Sequence, residues 1–247
     1  MVSAILKRFP GEMPERRRLA LAMMSAGDDG IGSIRAKLSQ YGIDKKTLIV
    51  FISDNGAPIK MHKEDITLDF RGGAWDGSIN DPLNGEKGTL LEGGIRVPFI
   101  VSWPGTIPGG VVCNEPVISL DVAATALATA GLPKDDALDG VDLMPLLTGP
   151  LVTKLDRSLY WRFWGQAAIR KERWKRLQLA GGAKYLFDLY EDKAETTNLI
   201  EQHPDVAAGL LVELQTWLDQ MPPSSTPPER LNDQEEPWFE HYLGWQK

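Results

Sequence analysis

Cysteine and histidine are scarce in this chain: 247 residues hold one cysteine, Cys113, and three histidines, His62, His203 and His241. A single thiol excludes an intrachain disulfide and a cysteine-based zinc cage. No run approaches the roughly 18 consecutive apolar residues of a membrane span, and the first residues lack the apolar core of a signal peptide. Positive charge is short as well, with 27 Lys and Arg against 34 Asp and Glu and a formal net charge of -7. That balance argues against a nucleic-acid partner and against an anionic-membrane surface. The basic stretch "KRFPGEMPERRR" therefore reads as the solvated flank of a helix. A phosphate loop of the form GxxxxGK followed by Ser or Thr is absent, as is any internal repeat.

What is present suffices for a buried core: 43% of the residues are hydrophobic, and the length suits one large domain or two small ones. The stretch "TLIVFISDNG", residues 47–56, is an apolar run that stops on Asp54, Asn55 and Gly56. Asn-Gly is a strong hairpin signal. The continuation "APIKMHKEDITLDFRGG" has a proline, scattered charges and no sustained alternation, so a tight hairpin is not expected. Leu48, Ile49, Val50, Phe51 and Ile52 leave no polar face, which predicts a strand covered on both sides, as in a parallel sheet between helix layers. Ligands of open α/β sheets bind just beyond the carboxyl ends of the strands, where Asp54 and Asn55 stand. Their side-chain oxygens suit a hard cation such as calcium or magnesium, with other segments supplying the remaining ligands.

Pro14 and the following "ERRRLALAMMSAGDDGIGSIRAKLSQYG" predict a long helix, with Leu19, Met23, Ile31, Ile34 and Leu38 near one face and Gly42 as its stop. Asp28 and Asp29 within it are expected to anchor a neighbouring loop or face solvent. Residues 57–92 predict a long loop, of a length that is usually functional or disordered. "GGIRVPFIVSWPG" predicts a second apolar strand, with Pro98 at an edge, a bulge or the strand's beginning. "SLDVAATALATAG" predicts a helix capped by Ser119 and ended by Gly131. From Ser158 onward, "SLYWRFW", "QAAIRKERWKRLQL" and "KYLFDLY" predict short antiparallel strands. "HPDVAAGLLVELQTWLDQ" then predicts a helix with Pro204 in its first turn. The expected organisation is an α/β domain over residues 1–157, a small antiparallel sheet plus helix over 158–221, and a Pro-rich arm with an aromatic tail over 222–247. Trp238, Phe239, Tyr242 and Trp245 of that tail are expected to pack on the body or on another chain, because exposing them would be costly.

In "GEKGTLLEGGIRVPF", residues 85–99, glycines crowd around Lys87. Glycine permits close backbone approach to a ligand, and a lysine held there is a point charge suited to sulfate or phosphate. A glycine-flanked surface turn with a solvated lysine is the competing reading.

Taken in order, these segments form a composite pattern. The chain resembles the arylsulfatase-type sulfatases of the alkaline-phosphatase-like superfamily in "AMMSAGDDGIGSI", "TLIVFISDNG", "GEKGTLLEGGIRVPFIVSWPGTIPGG", "SLDVAATALATAG", "DGVDLMPLLTG", "AIRKERWK" and "LFDLYEDKAETTNLIEQHP". The resemblance implies an α/β fold, part of a doubly wound mixed sheet of the alkaline-phosphatase-like type, followed by a small antiparallel sheet plus helix. It implies that Asp54 and Asn55 match the family's calcium-binding Asp-Asn pair. It also implies that Lys87 matches the lysine contacting the substrate sulfate, which makes Lys87 the catalytic and substrate-binding candidate. Cation and lysine would together hold the anionic sulfate and stabilise negative charge on its oxygens. Arg96 is expected in a structural ion pair, and the three histidines match no catalytic histidine of the family.

The family's formylglycine nucleophile is made from the cysteine or serine of a C-x-P-x-R-like motif preceded by an Asp-Asp pair. Cys113 stands in "VVCNEPV", without the proline and arginine at the required places, and no serine forms the motif. Met1 is therefore expected to begin midway through the family pattern, with formylglycine, the second active-site lysine and the catalytic histidines upstream. Ala57, Asn84 and Glu86 depart from the residues common in relatives and bear on substrate preference. The expectation is the C-terminal part of a calcium-dependent sulfatase acting on sulfate esters such as sulfated sugars, with no turnover by this chain alone. The alternatives are a phosphodiesterase or phosphoryl-transfer relative and a non-catalytic, sulfatase-derived binding or assembly protein. Self-association through the truncated sheet is expected, and no nucleic-acid or membrane partner. Relatives are usually exported; this sequence does not itself set the compartment.

Overall fold

The computed structural model describes residues 2–59, 75–150, 154–224 and 230–245. They fall into two compact units, one of Met1–Ala26, Asp54–Val97 and Ser158–Lys247, the other of Gly27–Ser53 and Pro98–Arg157. Two helices open the chain, α1 (Val2–Leu6) and the long α2 (Glu15–Gln40). The start of α2 follows the proline signal, with the Pro14 carbonyl accepting the Arg18 N–H at 3.1 Å. Its end follows the glycine signal: Gly42 takes φ 63° while Gly42 and Ile43 donate back to the carbonyls of Ser39 and Leu38. The predicted apolar face is not buried, since Met23 is 75% exposed and Ile34 61%. Gly27, Asp28, Asp29, Gly30 and Gly32 interrupt the stripe. The buried residues of α2 are Arg16 and Ala22, and Arg16 donates to the Trp75 carbonyl at 3.1 Å.

The first unit is organised by a meander of four antiparallel strands, β3 (Ser158–Phe163), β4 (Gln166–Lys171), β5 (Trp174–Leu179) and β6 (Lys184–Asp188), in that spatial order. These are the short strands predicted from the sequence. Their side chains alternate between two cores, as the period of a strand requires. Ala167, Ile169 and Leu186 face Ala207, Leu210 and Leu214 of α6 (Pro204–Leu218). Ala168, Leu177, Leu179 and Phe187 pack instead with Leu90, Leu91 and Phe239. Both faces are covered, which is why Gln166 to Ile169 are buried without interruption. Phe239 lies on α7 (Glu235–Leu243), a helix the sequence reading did not foresee. The tail aromatics pack on the body as expected: Phe239 is fully buried, and Tyr242 and Trp245 lie against the same core.

In the second unit β1 (Ile49–Ile52) pairs with β2 (Phe99–Ser102), Phe51 opposite Ile100. The pair is antiparallel, not parallel, and it is not covered on both sides: Phe51 is 44% exposed and Ile100 58%. Among the described residues nothing extends this two-stranded sheet. Pro98 directly precedes β2, the place a proline tolerates best. Helix α4 (Asp121–Thr129) is not capped by Ser119. A fully buried Asp121 organises that end: its carboxylate accepts the N–H groups of Ile118 at 2.9 Å and Val141 at 3.0 Å, and binds the Arg157 guanidinium in a two-pronged pair at 2.6 Å. Gly131, φ 69°, ends the helix as predicted. A short α5 (Met144–Thr148) follows. No helix among the described residues is long and apolar enough to cross a membrane.

Candidate active site

Beyond the end of β1, Asp54 is exposed and Asn55 half-buried. The backbone after them is stitched to a second segment. The Gly56 N–H donates to the Gly94 carbonyl at 2.9 Å, and the Lys87 N–H donates to the Ala57 carbonyl at 3.2 Å. Asn80 completes the frame. Its Oδ1 accepts the Ala57 N–H at 2.9 Å while its Nδ2 donates to the carbonyls of Ala57 and Gly85, both at 3.0 Å. The structure thus ties the Asp54-Asn55 segment to the backbone of Lys87, whose side chain is exposed. The intervening residues 60–74, His62 among them, lie outside the described residues.

The glycines of the Lys87 segment and of the segment it is tied to lie in close contact with neighbouring parts of the chain: Gly85 meets the side chains of Thr89 and Leu91, Gly88 that of Trp238, and Gly56, Gly93 and Gly94 meet backbone. A Cβ at Gly56 would collide with the Gly93 carbonyl, one at Gly93 with the carbonyls of Gly85 and Asn84, and one at Gly94 with those of Thr89 and Glu86. Gly93 and Gly94 belong to α3 (Glu92–Ile95), a single turn folded back on the loop before it, with the Gly93 N–H donating to the Asn84 carbonyl at 2.6 Å.

Side chains from the four-stranded sheet and the C-terminal helix hold this loop from beneath. The buried Gln166 accepts the Leu90 N–H at 2.8 Å and donates to the Gly88 carbonyl at 2.9 Å. It also donates to Glu235 at 3.1 Å, a buried carboxylate that accepts the Gly165 N–H at 3.0 Å. Asn84 donates to the Tyr242 carbonyl at 3.0 Å. Burial raises the Tyr242 phenol above its ordinary range, and Glu86 adds to the shift.

A charged cluster anchors α3. The fully buried Lys175 of β5 stands 3.0 Å from Glu92 and 2.8 Å from Glu195, and Glu195 also accepts the Glu92 N–H at 2.6 Å. Arg170 and Arg96 approach Glu92 at 3.6 and 3.7 Å, which gives Arg96 the structural ion pair expected of it. Burial pushes the Glu195 carboxyl up to about 7; the charge of Glu92 adds to this and Lys175 opposes it. Burial would raise Glu92 too, but Lys175, Arg170 and Arg96 together hold it below its ordinary value. Lys175 is raised: burial opposes its charge, and Glu195 and Glu92 outweigh that cost. Sequence reasoning missed this cluster, because its members stand in segments far apart and no spacing joins them.

Residues 7–132 match the family model described as Sulfatase, and residues 85–221 match the model described as N-sulphoglucosamine sulphohydrolase, C-terminal. The chain belongs to the sulfatase family. Steryl-sulfatase of Mus musculus is 44% identical over 124 residues, covering 49% of this chain and 19% of that protein. N-acetylgalactosamine-6-sulfatase of Rattus norvegicus is 37% identical over 137 residues, covering 54% of this chain and 24% of that protein. The crystal structure of Ps i-CgsB matches with a TM-score of 0.75 at 27% identity, covering 96% of this chain and 50% of that one. The same protein bound to k-i-k-neocarrahexaose matches with a TM-score of 0.74 at 25% identity over the same shares of the two chains. This sulfatase chain therefore spans about half of that structure and its aligned part a smaller share of the curated relatives. Its architecture is the alkaline-phosphatase-like α/β fold, with a small antiparallel sheet plus helix.

Asp54 and Asn55 fit calcium in kind, since both offer hard oxygens, and fall short of it in number, since calcium takes 6 to 8 ligands. Among the described residues no group of three or more His, Cys, Asp or Glu side chains converges to hold a metal. Of the histidines, His203 tilts against Trp174 at 4.8 Å just ahead of Pro204, and His241 meets Tyr242 edge-on at 4.7 Å. Both are exposed, each with a ring contact at the surface. Asp28 and Asp29 are exposed on α2.

Proposed function

We propose that this chain is the C-terminal part of a calcium-dependent sulfatase that hydrolyses sulfate esters, among them sulfated sugars. The observation that carries this reading is the hydrogen bond from the Lys87 N–H to the Ala57 carbonyl, which joins Lys87 to the segment bearing Asp54 and Asn55. In this reading Lys87 contacts the sulfate as a fixed positive charge, and Asp54 and Asn55 supply part of the calcium shell. Bound calcium would polarise a sulfate oxygen and offset the charge growing on it. The loop's backbone bonds and the Gln166 clamp hold the backbone on both sides of Lys87, and its exposed side chain is left open to an anion. No C-x-P-x-R or S-x-P-x-R motif occurs in the sequence, so the chain supplies no nucleophile and does not turn over by itself. Sulfated sugars are favoured as substrates by the N-acetylgalactosamine-6-sulfatase and neocarrahexaose-bound relatives.

Isothermal titration of the 247-residue chain with sodium sulfate, with and without calcium, tests this. Calcium should strengthen sulfate binding, Lys87→Ala should weaken it at least fivefold, and Asp54→Ala should abolish the calcium effect. Unchanged sulfate affinity in Lys87→Ala would sink the reading. Calcium-dependent hydrolysis of an aryl sulfate by the pure chain would overturn the absence of a nucleophile.

A further inference from the structure

Helix α3 is a single turn, and a single turn fixes several dihedrals for one hydrogen bond, so it does not hold itself. Its place is set from outside. The Glu92 N–H, first of the turn, donates to Glu195 Oε2 at 2.6 Å. Lys175 stands between the two carboxylates, 3.0 Å from Glu92 Oε1 and 2.8 Å from Glu195 Oε1. All three side chains are buried, so water does not compete for these contacts.

The backbone under Glu195 is shaped for this reach. Glu195 takes φ 54°, a left-handed conformation uncommon outside glycine and short polar residues. The bend that imposes it is hydrogen-bonded throughout. The Glu195 N–H donates to the Asp192 carbonyl at 3.3 Å, and the Asp192 carboxylate accepts the N–H groups of Thr196 at 2.7 Å and Thr197 at 2.8 Å. A costly conformation held this firmly points to a use for the direction in which it sends the carboxylate.

The turn that Glu195 holds touches both parts of the candidate site. The Gly94 carbonyl accepts the N–H of Gly56, the residue after Asn55, at 2.9 Å, and the Gly93 N–H donates to the Asn84 carbonyl, on the loop that leads to Lys87, at 2.6 Å. These contacts are tight: a Cβ at Gly56 would lie 1.7 Å from the Gly93 carbonyl oxygen, and one at Gly94 2.1 Å from that of Thr89. Helix α3 is thus a spacer between Asn55 and the Lys87 loop, and a shift of the turn moves one relative to the other. We propose that Glu195 is a positioning residue of the candidate site: through its bond to the Glu92 N–H it fixes α3, and α3 fixes the separation of the Asp54-Asn55 segment from Lys87. Coupling between a cation on the first and an anion on the second then depends on a carboxylate from a separate loop. This inference rests on the sulfatase reading for the roles of Asp54, Asn55 and Lys87.

The test combines sodium sulfate titrations of the full 247-residue chain, with and without calcium, and amide hydrogen exchange read by NMR. Calcium should tighten sulfate binding to wild type roughly fivefold or more, the low end of ordinary coupling between sites. In wild type the amides of Glu92, Gly93 and Gly56 should share one protection factor, because one local opening of α3 frees all three. Glu195→Ala removes the acceptor. It should cut the calcium advantage by roughly threefold or more, lower the protection of Gly56 together with that of Glu92, and leave calcium-free sulfate binding unchanged. Glu195→Gln keeps an acceptor oxygen of the same reach and should restore both readouts. The wild-type exchange decides even where Glu195→Ala does not fold: protection of Gly56 far below that of Glu92 and Gly93 would overturn the relay through α3. A folded Glu195→Ala with the full calcium advantage would overturn it as well. Loss in Glu195→Gln as large as in Glu195→Ala would assign the effect to the charge beside Lys175 and overturn the hydrogen-bonded tether. Shared protection in wild type, with no effect of calcium on sulfate, would uphold the tether and fault the sulfatase reading.

Discussion

Two carboxylates that share Lys175, Glu92 and Glu195, are driven in opposite directions because Glu92 gathers three cations and Glu195, among the described residues, Lys175 alone. The consequence is a pH dependence with a definite sign. Glu195 titrates near 7 in the folded chain against 4.5 for an ordinary glutamate, so between these values the native state holds a proton that the unfolded chain releases. Stability must then fall as pH rises through that window, with a limiting slope of about 1.4 kcal/mol per pH unit. Glu92 contributes with the opposite sign and in a lower window: its stabilisation is present above the unfolded value and is lost as pH falls through its depressed folded value. The two effects therefore separate. Urea unfolding at pH 5, 6 and 7 should show the stability advantage of wild type over Glu195→Gln shrinking as pH rises. An advantage that grows over that range would mean Glu195 is ionised well below pH 7 and that Lys175 outweighs its burial.

At the scale of elements, the meander, α6 and the ends of α2 were legible in the sequence because local signals govern them. Glycines with positive φ, a proline at a helix start and alternation of period two act within a few residues. The parallel, doubly covered strand was not found, because Leu48 to Ile52 carry no information about partner direction, which is set by a strand nearly fifty residues away. The glycines beside Lys87 were noticed, but the protein segments they pack against were not legible, since sequence shows where a backbone can approach and not which segment approaches it. The C-terminal helix was missed because prolines precede it and its acidic first turn resembles a solvated arm. Its packing makes it part of the core and not an appendage. Phe239 shares one cluster with Leu90 and Leu91 of the Lys87 loop and with Leu177, Leu179 and Phe187 of the sheet. Phe239→Ala should cost about 3–5 kcal/mol. Because the cavity would open directly under the loop, it should also weaken sulfate binding, read by titration under conditions where the variant remains folded. A loss below about 1 kcal/mol would mean that α7 is only loosely docked.

For the molecule as a whole, the apolar surface left uncovered has a direct physical consequence. Phe51 and Ile100 lie opposite each other on adjacent strands and are both exposed, forming one patch on a sheet of two strands whose outer edges lack partners among the described residues. A short apolar sheet with open edges is a template for pairing with another copy. The formal net charge of -7 opposes such pairing at low ionic strength. Salt should therefore promote association by screening the repulsion while leaving the apolar attraction in place. Static light scattering should show a weight-average mass that rises with concentration and rises further at about 0.5 M salt, where the Debye length has shrunk below its ~8 Å physiological value. Phe51→Lys together with Ile100→Lys should return the mass toward that of a monomer, since charge on an edge strand blocks pairing. A constant monomer mass at both ionic strengths would mean that this patch does not pair. Association that salt weakens would assign it to opposite charges elsewhere on the surface.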